Sequence, residues 1–192
     1  MRHFLIMTAA VGLMVAGSVG AATLSFNNAA TTVSEGKSFT LDVNISGVSN
    51  LSDFEFDIGY DPTILKPLTV TEGSFLKKAG TTLFIPGSVD SLLGQVNNIA
   101  DGLEGSGAGA SGSGTLVQVT FKGIGSGTAN LTLFDVTLLD SNLEGIANTT
   151  SGASVKVNGF SGSPEPSTLS LVGGAVLAGV LMRRRLGPAR VV

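Results

Sequence analysis

Apolar and polar residues alternate along most of the chain. Thr23 to Asn27 sets Leu24 and Phe26 on one side, and Phe39 to Ile45 repeats the pattern with Phe39, Leu41, Val43 and Ile45. Successive side chains of a strand point to opposite faces, so a period of two predicts half-buried strands. In the next segment Phe54, Phe56 and Ile58 alternate with Asp53, Glu55 and Asp57, and Asp61-Pro62 closes it after Tyr60, because proline cannot donate to a ladder. Leu68 and Val70 predict a short strand before Gly73, and Ser74 to Lys78 reads as one helical turn. Thr82 to Pro86 and Val96 to Ala100 read as extended, and the clearest strands are Thr115 to Lys122, Thr128 to Leu139 and Ala153 to Asn158. Gly105 to Gly114 holds only Gly, Ser and Ala, which predicts a low-complexity linker that buries too little to order itself well. No amphipathic helix of any length separates these segments, so the pattern is that of an all-β sandwich.

The two ends follow other rules. Arg2 and His3 precede an apolar run from Phe4 to Gly17, and Val19-Gly20-Ala21 offers small residues before Ala22, with Gly20-Ala21-Ala22 an equally acceptable neighbour. That is the layout of a secretory signal peptide over residues 1–21. At the other end, Pro164-Glu165-Pro166 precedes an apolar run to Met182, and Arg183, Arg184 and Arg185 follow it. The prolines keep the tripeptide extended and accessible, while the run from 168 to 182 predicts one transmembrane helix. Its 14 residues from Leu169 to Met182, extended to 16 by Ser167 and Thr168, are short for a span. At about 1.5 Å per residue they reach roughly 24 Å against a hydrocarbon core of about 30 Å, a gap that snorkelling arginines and local thinning cover. The basic tail of 183–192 stays on the cytoplasmic side and orients the bulk of the chain outward.

This three-part order resembles the PEP-CTERM sorting signal of exported proteins in Gram-negative bacteria that make exopolysaccharide. The resemblance implies an exosortase-type processing enzyme as a partner and anchoring in the inner membrane through the C-terminal helix. The chain is then expected to leave by the general secretory route for the cell surface or the extracellular matrix. Between leader and tail, residues 22–160 suit one domain, with 161–192 as the sorting signal.

Charge and composition narrow the chemistry. All five arginines and the one histidine lie in the leader or tail, and cysteine and tryptophan are absent. From Thr23 to Ser163, thirteen carboxylates face six lysines, leaving seven net negative charges. Such a surface repels nucleic acid. Without His or Cys the exported region has no Ser-His-Asp triad, thiol nucleophile or histidine metal site, and no disulfide. Paired carboxylates remain, and Glu55 with Asp53 or Asp57 is the pair a glycoside hydrolase would need. Their alternation with Phe54, Phe56 and Ile58 is instead that of a strand's wet face, so no catalytic residue is assigned and the chain reads as non-enzymatic.

Phe54 to Leu65, including Tyr60-Asp61-Pro62-Thr63-Ile64-Leu65, resembles the cohesin family. Gly112 to Leu116 leading into Val119 to Lys122, and Leu131 to Asn142, fit the same pattern. The resemblance implies a jelly-roll β-sandwich of about nine strands that binds dockerin modules through one sheet face, in assemblies that degrade polysaccharide. The expected function is therefore protein interaction or adhesion, with a dockerin-like protein or exopolysaccharide as partner. The alternative is a carbohydrate-binding module linked to polysaccharide binding or catabolism, in which Tyr60, the only tyrosine, would stack on a sugar and Asp61 would stand beside it. With one Tyr and no Trp the chain is poorly equipped for that task.

One cofactor is a candidate. Asp140, Asn142 and Glu144 place oxygen ligands at alternate positions before Gly145, like the first half of a calcium loop. The twelfth position of such a loop is Ser151 and not Glu, and an Asx turn joining two strands competes with calcium for the same residues.

Overall fold

The computed structural model describes residues 20–160; the leader run, the Pro164-Glu165-Pro166 motif, the 168–182 segment and Arg183 to Arg185 lie outside the described residues. Eleven strands follow in order: β1 Ala22–Phe26, β2 Ala30–Ser34, β3 Ser38–Gly59, β4 Leu65–Glu72, β5 Thr82–Ile85, β6 Ser88–Asp90, β7 Gln95–Leu103, β8 Ala110–Gly123, β9 Gly127–Asp140, β10 Asn148–Ser151 and β11 Ala153–Asn158. A single 3-10 turn, Leu76–Lys78, is the helical element among the described residues, where the sequence placed one turn, and no described helix is long and apolar enough to cross a membrane.

The strand β3 organises the fold because it belongs to both layers. Its first part pairs antiparallel with β1 and β8, and its second part, from Asp53 to Gly59, pairs antiparallel with β7 and β9. One layer therefore runs β10–β1–β3–β8–β4, and the other runs β2–β11–β9–β3–β7 with β5 and β6 along the outer edge of β7. The passage between layers falls at Gly47 and Asn50, both with positive φ (70° and 59°), where the register against β8 shifts. Asn50 is held there by its own side chain: Oδ1 accepts the Gly109 N–H at 2.7 Å and Nδ2 donates to Ser141 Oγ at 2.8 Å.

The inward residues of both layers meet in one core. Leu41, Val43, Val117, Val119 and Phe121 come from the first layer; Phe56, Ile58, Ile99, Leu131 and Val155 come from the second. Each such burial contributes about 1.5–3 kcal/mol, so the alternation read from sequence carries the stability of the sandwich.

Three expectations are corrected. The segments around 39–45 and 54–60 form one strand of 22 residues, because the bend between them keeps its ladder bonds. The Gly/Ser/Ala stretch is a linker only as far as Gly109: Ala110 to Gly114 open β8 and pair with β3 at Leu51, Val48 and Ile45. The β2, β6 and β10 strands were not anticipated; with two expected strands merged into β3, they bring the count from about nine to eleven. They are short, rich in Ser and Thr, and mostly exposed, so they carry little alternation.

Candidate functional site

The acidic row of β3 lies on the outer surface of the second layer, as its alternation requires. Glu55 is exposed and Asp53 and Asp57 are half-buried, while Phe54, Phe56 and Ile58 turn into the core. Cross-strand register builds two rows through them. One runs Ile85, Ala100, Glu55, Thr137; the next runs Leu83, Gly102, Asp53, Leu139. The floor is made of small residues, since β7 contributes Ala100 and Gly102 where larger side chains would fill the space. At Gly102 a Cβ would come within 2.3 Å of Asp53 Oδ1, so glycine lets the Asp53 carboxylate lie across β7.

The result is a groove of about 400 Å³, walled on one side by Leu83 and Ile85 and on the other by Thr137 and Leu139. Leu83 is 64% exposed and Ile85 50% exposed, a wet apolar rim on an edge strand. Apolar side chains continue along the same edge as Val89, Leu92 and Leu93, all exposed.

The carboxylates of this face already have structural work. Asn98 holds a left-handed conformation (φ 58°) at a bulge in β7, and Asp57 Oδ1 accepts its backbone N–H at 2.7 Å. Glu55 Oε1 accepts the Asn98 side-chain amide at 2.9 Å. Two acids thus clamp one asparagine across the β3–β7 boundary. A hydrolytic pair would need one carboxyl kept protonated by an apolar pocket and the other ionised. Both carboxylates are instead engaged with one asparagine, Asp57 on its backbone N–H and Glu55 on its side-chain amide.

The residues singled out in the sequence fall elsewhere. Tyr60 follows the last residue of β3 and points into the core, where its ring meets Phe121 edge-on at 5.9 Å. Its hydroxyl is buried without a hydrogen-bond partner of good geometry. Burial pushes the phenol pKa up, only partly offset by the nearby Ser91 side chain, and the Asp90 carboxylate adds to the rise. A sugar-stacking platform needs an exposed ring face, and Tyr60 has none to offer. Asp61 caps the following turn: Oδ1 accepts the Thr63 hydroxyl at 2.6 Å and the Thr63 N–H at 2.9 Å, which holds its carboxyl below the usual range.

The Asp140 loop takes the Asx-turn geometry. Its Oδ1 accepts the backbone N–H groups of Asn142 (2.8 Å) and Glu144 (2.9 Å), and these bonds, Glu144 first, lower its pKa. The oxygen a cation would need is turned toward donors of its own loop. No group of three acidic, His or Cys residues arranged to hold a metal occurs among the described residues.

Sequence reasoning missed Leu83, Ile85, Ala100, Gly102, Thr137 and Leu139 as parts of one surface. No short-range signal joins them, because β5, β7, β3 and β9 come together only through the register of the second layer.

Comparison with known proteins follows the same outline. The family model for the Cohesin domain matches residues 24–157. A non-cellulosomal cohesin from the hyperthermophilic archaeon Archaeoglobus fulgidus superposes with a TM-score of 0.55 at 20% identity, covering 72% of this chain and 92% of that one. A type I cohesin–dockerin complex from Clostridium thermocellum gives 0.60 at 11% identity, covering 72% and 100%. A type II cohesin domain from the cellulosome of Acetivibrio cellulolyticus gives 0.54 at 18% identity, covering 71% and 95%. No curated protein matches the chain.

Proposed function

The chain belongs to the cohesin domain family, and from that premise we propose that its sandwich is a docking module that receives a dockerin-like protein on the outer β5–β7–β3–β9 face. Cohesin domains are non-enzymatic protein–protein interaction modules, so the proposal concerns the partner and the place. The observation that carries it is the groove: Leu83 and Ile85 stand exposed beside a floor of Ala100 and Gly102, with Asp53 and Glu55 at its centre. An apolar ridge flanked by basic residues fits such a trough, because desolvating the two rim side chains supplies affinity and the carboxylates select charge.

Biolayer interferometry of the full-length chain in detergent against a panel of dockerin modules tests this. Saturable binding that falls at least tenfold in Leu83→Asp and Ile85→Asp, with unchanged circular dichroism, is expected. Binding indifferent to both substitutions, or none across the panel, removes the reading.

The setting is part of the same proposal. The order of Pro164-Glu165-Pro166, apolar run and Arg183 to Arg185 supports export, anchoring in the inner membrane and handling by an exosortase-type enzyme on the way to the surface or exopolysaccharide matrix. Intact mass of the surface-released protein is expected to end between Pro164 and Ser167; a polypeptide retained through Val192 excludes processing.

A carbohydrate-binding reading has one observation in its favour. The Phe134 ring lies over Gly59, with a Cβ built there only 3.5 Å from its edge, beside Thr128, Asn130, Thr132 and Gln95 in an open polar groove. Retention on an exopolysaccharide column, lost in Phe134→Ala, would favour that reading over dockerin binding.

A further inference from the structure

Directly beneath the docking groove, four elements converge on two acids. Glu72 ends β4 in the first layer; its Oε1 accepts the Thr82 hydroxyl of β5 at 2.6 Å, and its Oε2 pairs with Lys77 Nζ of the 3-10 turn at 3.0 Å. Asp101 of β7 is 4% exposed, and it is the one charged residue buried among the described residues. Its Oδ1 accepts the Gly102 N–H at 3.0 Å, and across the β5–β7 ladder it stands diagonal to Thr82 on the same inward side, which brings its carboxyl up to the Glu72 carboxyl that Thr82 bonds. A carboxylate oxygen only accepts, so two carboxyls in that contact require a proton between them. Among the described residues, Lys77 is the one other charged group that acts on the pair. The cross-strand partners of Asp101 are Phe54 on β3 and Phe84 on β5, and Asp53 and Glu55 turn to the opposite side of the sheet.

We propose that Glu72 and Asp101 form a proton-operated latch on β5: while they share one proton, the strand carrying Leu83 and Ile85 is held against the sandwich, and loss of that proton releases it. The strand's other restraints are its ladder to β7 and the half-buried Phe84 ring packed against the core. The strand is four residues long, lies at an edge and is bonded to β7 alone. Thr82 is the residue that hydrogen-bonds it to the first layer, and Glu72 is the acceptor in that tie. When Asp101 ionises, two negative charges share a water-poor site with one half-exposed ammonium, and repulsion drives the Glu72 side chain toward solvent. Thr82 then loses its acceptor.

The proton sits on Asp101. Burial first, and then the charge of Glu72, push the Asp101 pKa from 3.8 up to about 6. Burial works on Glu72 in the same sense, but the Thr82 hydroxyl and the Lys77 ammonium outweigh it and leave Glu72 lowered. A pKa raised by folding adds stability that is complete below the ordinary carboxylate value and is lost as pH rises through about 6. The latch is therefore closed in acid and open at neutrality.

Two measurements on the full-length chain in detergent decide it: a carboxyl-carbon NMR titration of labelled aspartates, and amide hydrogen exchange of β5 corrected for intrinsic rates. Expected are an aspartate titrating near 6 that is missing in Asp101→Asn, and β5 protection that falls about tenfold or more between pH 5 and pH 7.5. The fall should vanish in Asp101→Asn and in Glu72→Gln, because in each an amide supplies the bridging hydrogen at every pH. An Asp101 that titrates near 4, or protection that does not change with pH, overturns the latch; where a variant does not fold, the wild-type titration and exchange decide alone.

Its effect on docking rests on the function proposed above and is read separately as dockerin affinity at the two pH values. Latch behaviour without any dockerin binding rejects the partner and keeps the latch. Dockerin binding on a β5 that ignores pH rejects the latch and keeps the partner.

Discussion

Phe121 shows how much of this fold rests on single side chains. It is fully buried on β8, stacked on Phe39 at 6.0 Å and met edge-on by Tyr60 at 5.9 Å, so it joins the start of β3 to its end through the core. Phe121→Ala should cost about 3–5 kcal/mol, because partial collapse cannot refill the space between two aromatic partners. Against a total of about 5–15 kcal/mol that is a large share, and urea denaturation will show it as a lower midpoint with an unchanged slope. Tyr60 predicts the opposite kind of result. Its ring packs well, but its hydroxyl is buried without a well-formed hydrogen bond. Tyr60→Phe keeps the ring and removes an uncompensated polar atom, so stability should stay level or rise by up to about 1 kcal/mol. A loss larger than that would show that the Ser91 hydroxyl bonds to it in solution.

At the scale of elements, β3 and β8 carry the sandwich, and the Gly/Ser/Ala stretch explains how they approach each other. A Cβ at Gly109 would stand 2.3 Å from the Asn50 carbonyl oxygen and 2.6 Å from that of Leu51. These are backbone atoms and have no rotamer to yield. Gly109→Ala should therefore cost about 1–3 kcal/mol, with hydrogen-exchange protection lost first over Ala110 to Gly114 while the far end of β8 holds. Composition pointed the other way because low complexity was read as an inability to bury, whereas here small size is what admits a neighbouring backbone. The long strands were legible for the converse reason: Leu41, Val43, Phe54, Phe56, Val119 and Leu131 alternate with polar residues on a sheet wet on one side. Asp101 was not legible. The bulge at Asn98 inserts one residue into β7, so the parity set by Val96 flips and Ile99 and Asp101 turn inward where unbroken alternation would put Ala100. The groove shares that origin, since the same bulge turns Ala100 and Gly102 outward to form its floor.

Across the whole molecule, charge is segregated. Arginine occurs only at Arg2 and from Arg183 onward, and the region from Thr23 to Ser163 carries seven net negative charges. Part of that charge, Asp53, Glu55 and Asp57, occupies the face that also bears Leu83 and Ile85. The two sets act at different stages of an encounter. Carboxylates attract a basic partner over distances that salt screens within about 10 Å at 0.1 M, whereas apolar rim contacts form only after collision and govern how long the complex lasts. Raising ionic strength from about 0.02 M to about 0.5 M should therefore slow association of a basic dockerin module by about tenfold and change its dissociation by much less. Glu55→Gln keeps an acceptor for the Asn98 amide and deletes one charge, so it should slow association without loosening the bulge. Leu83→Ala should do the reverse, speeding dissociation with association nearly unchanged. Stopped-flow kinetics at several salt concentrations separates the two, and association that ignores both salt and Glu55→Gln would place the contact on a face other than the acidic one.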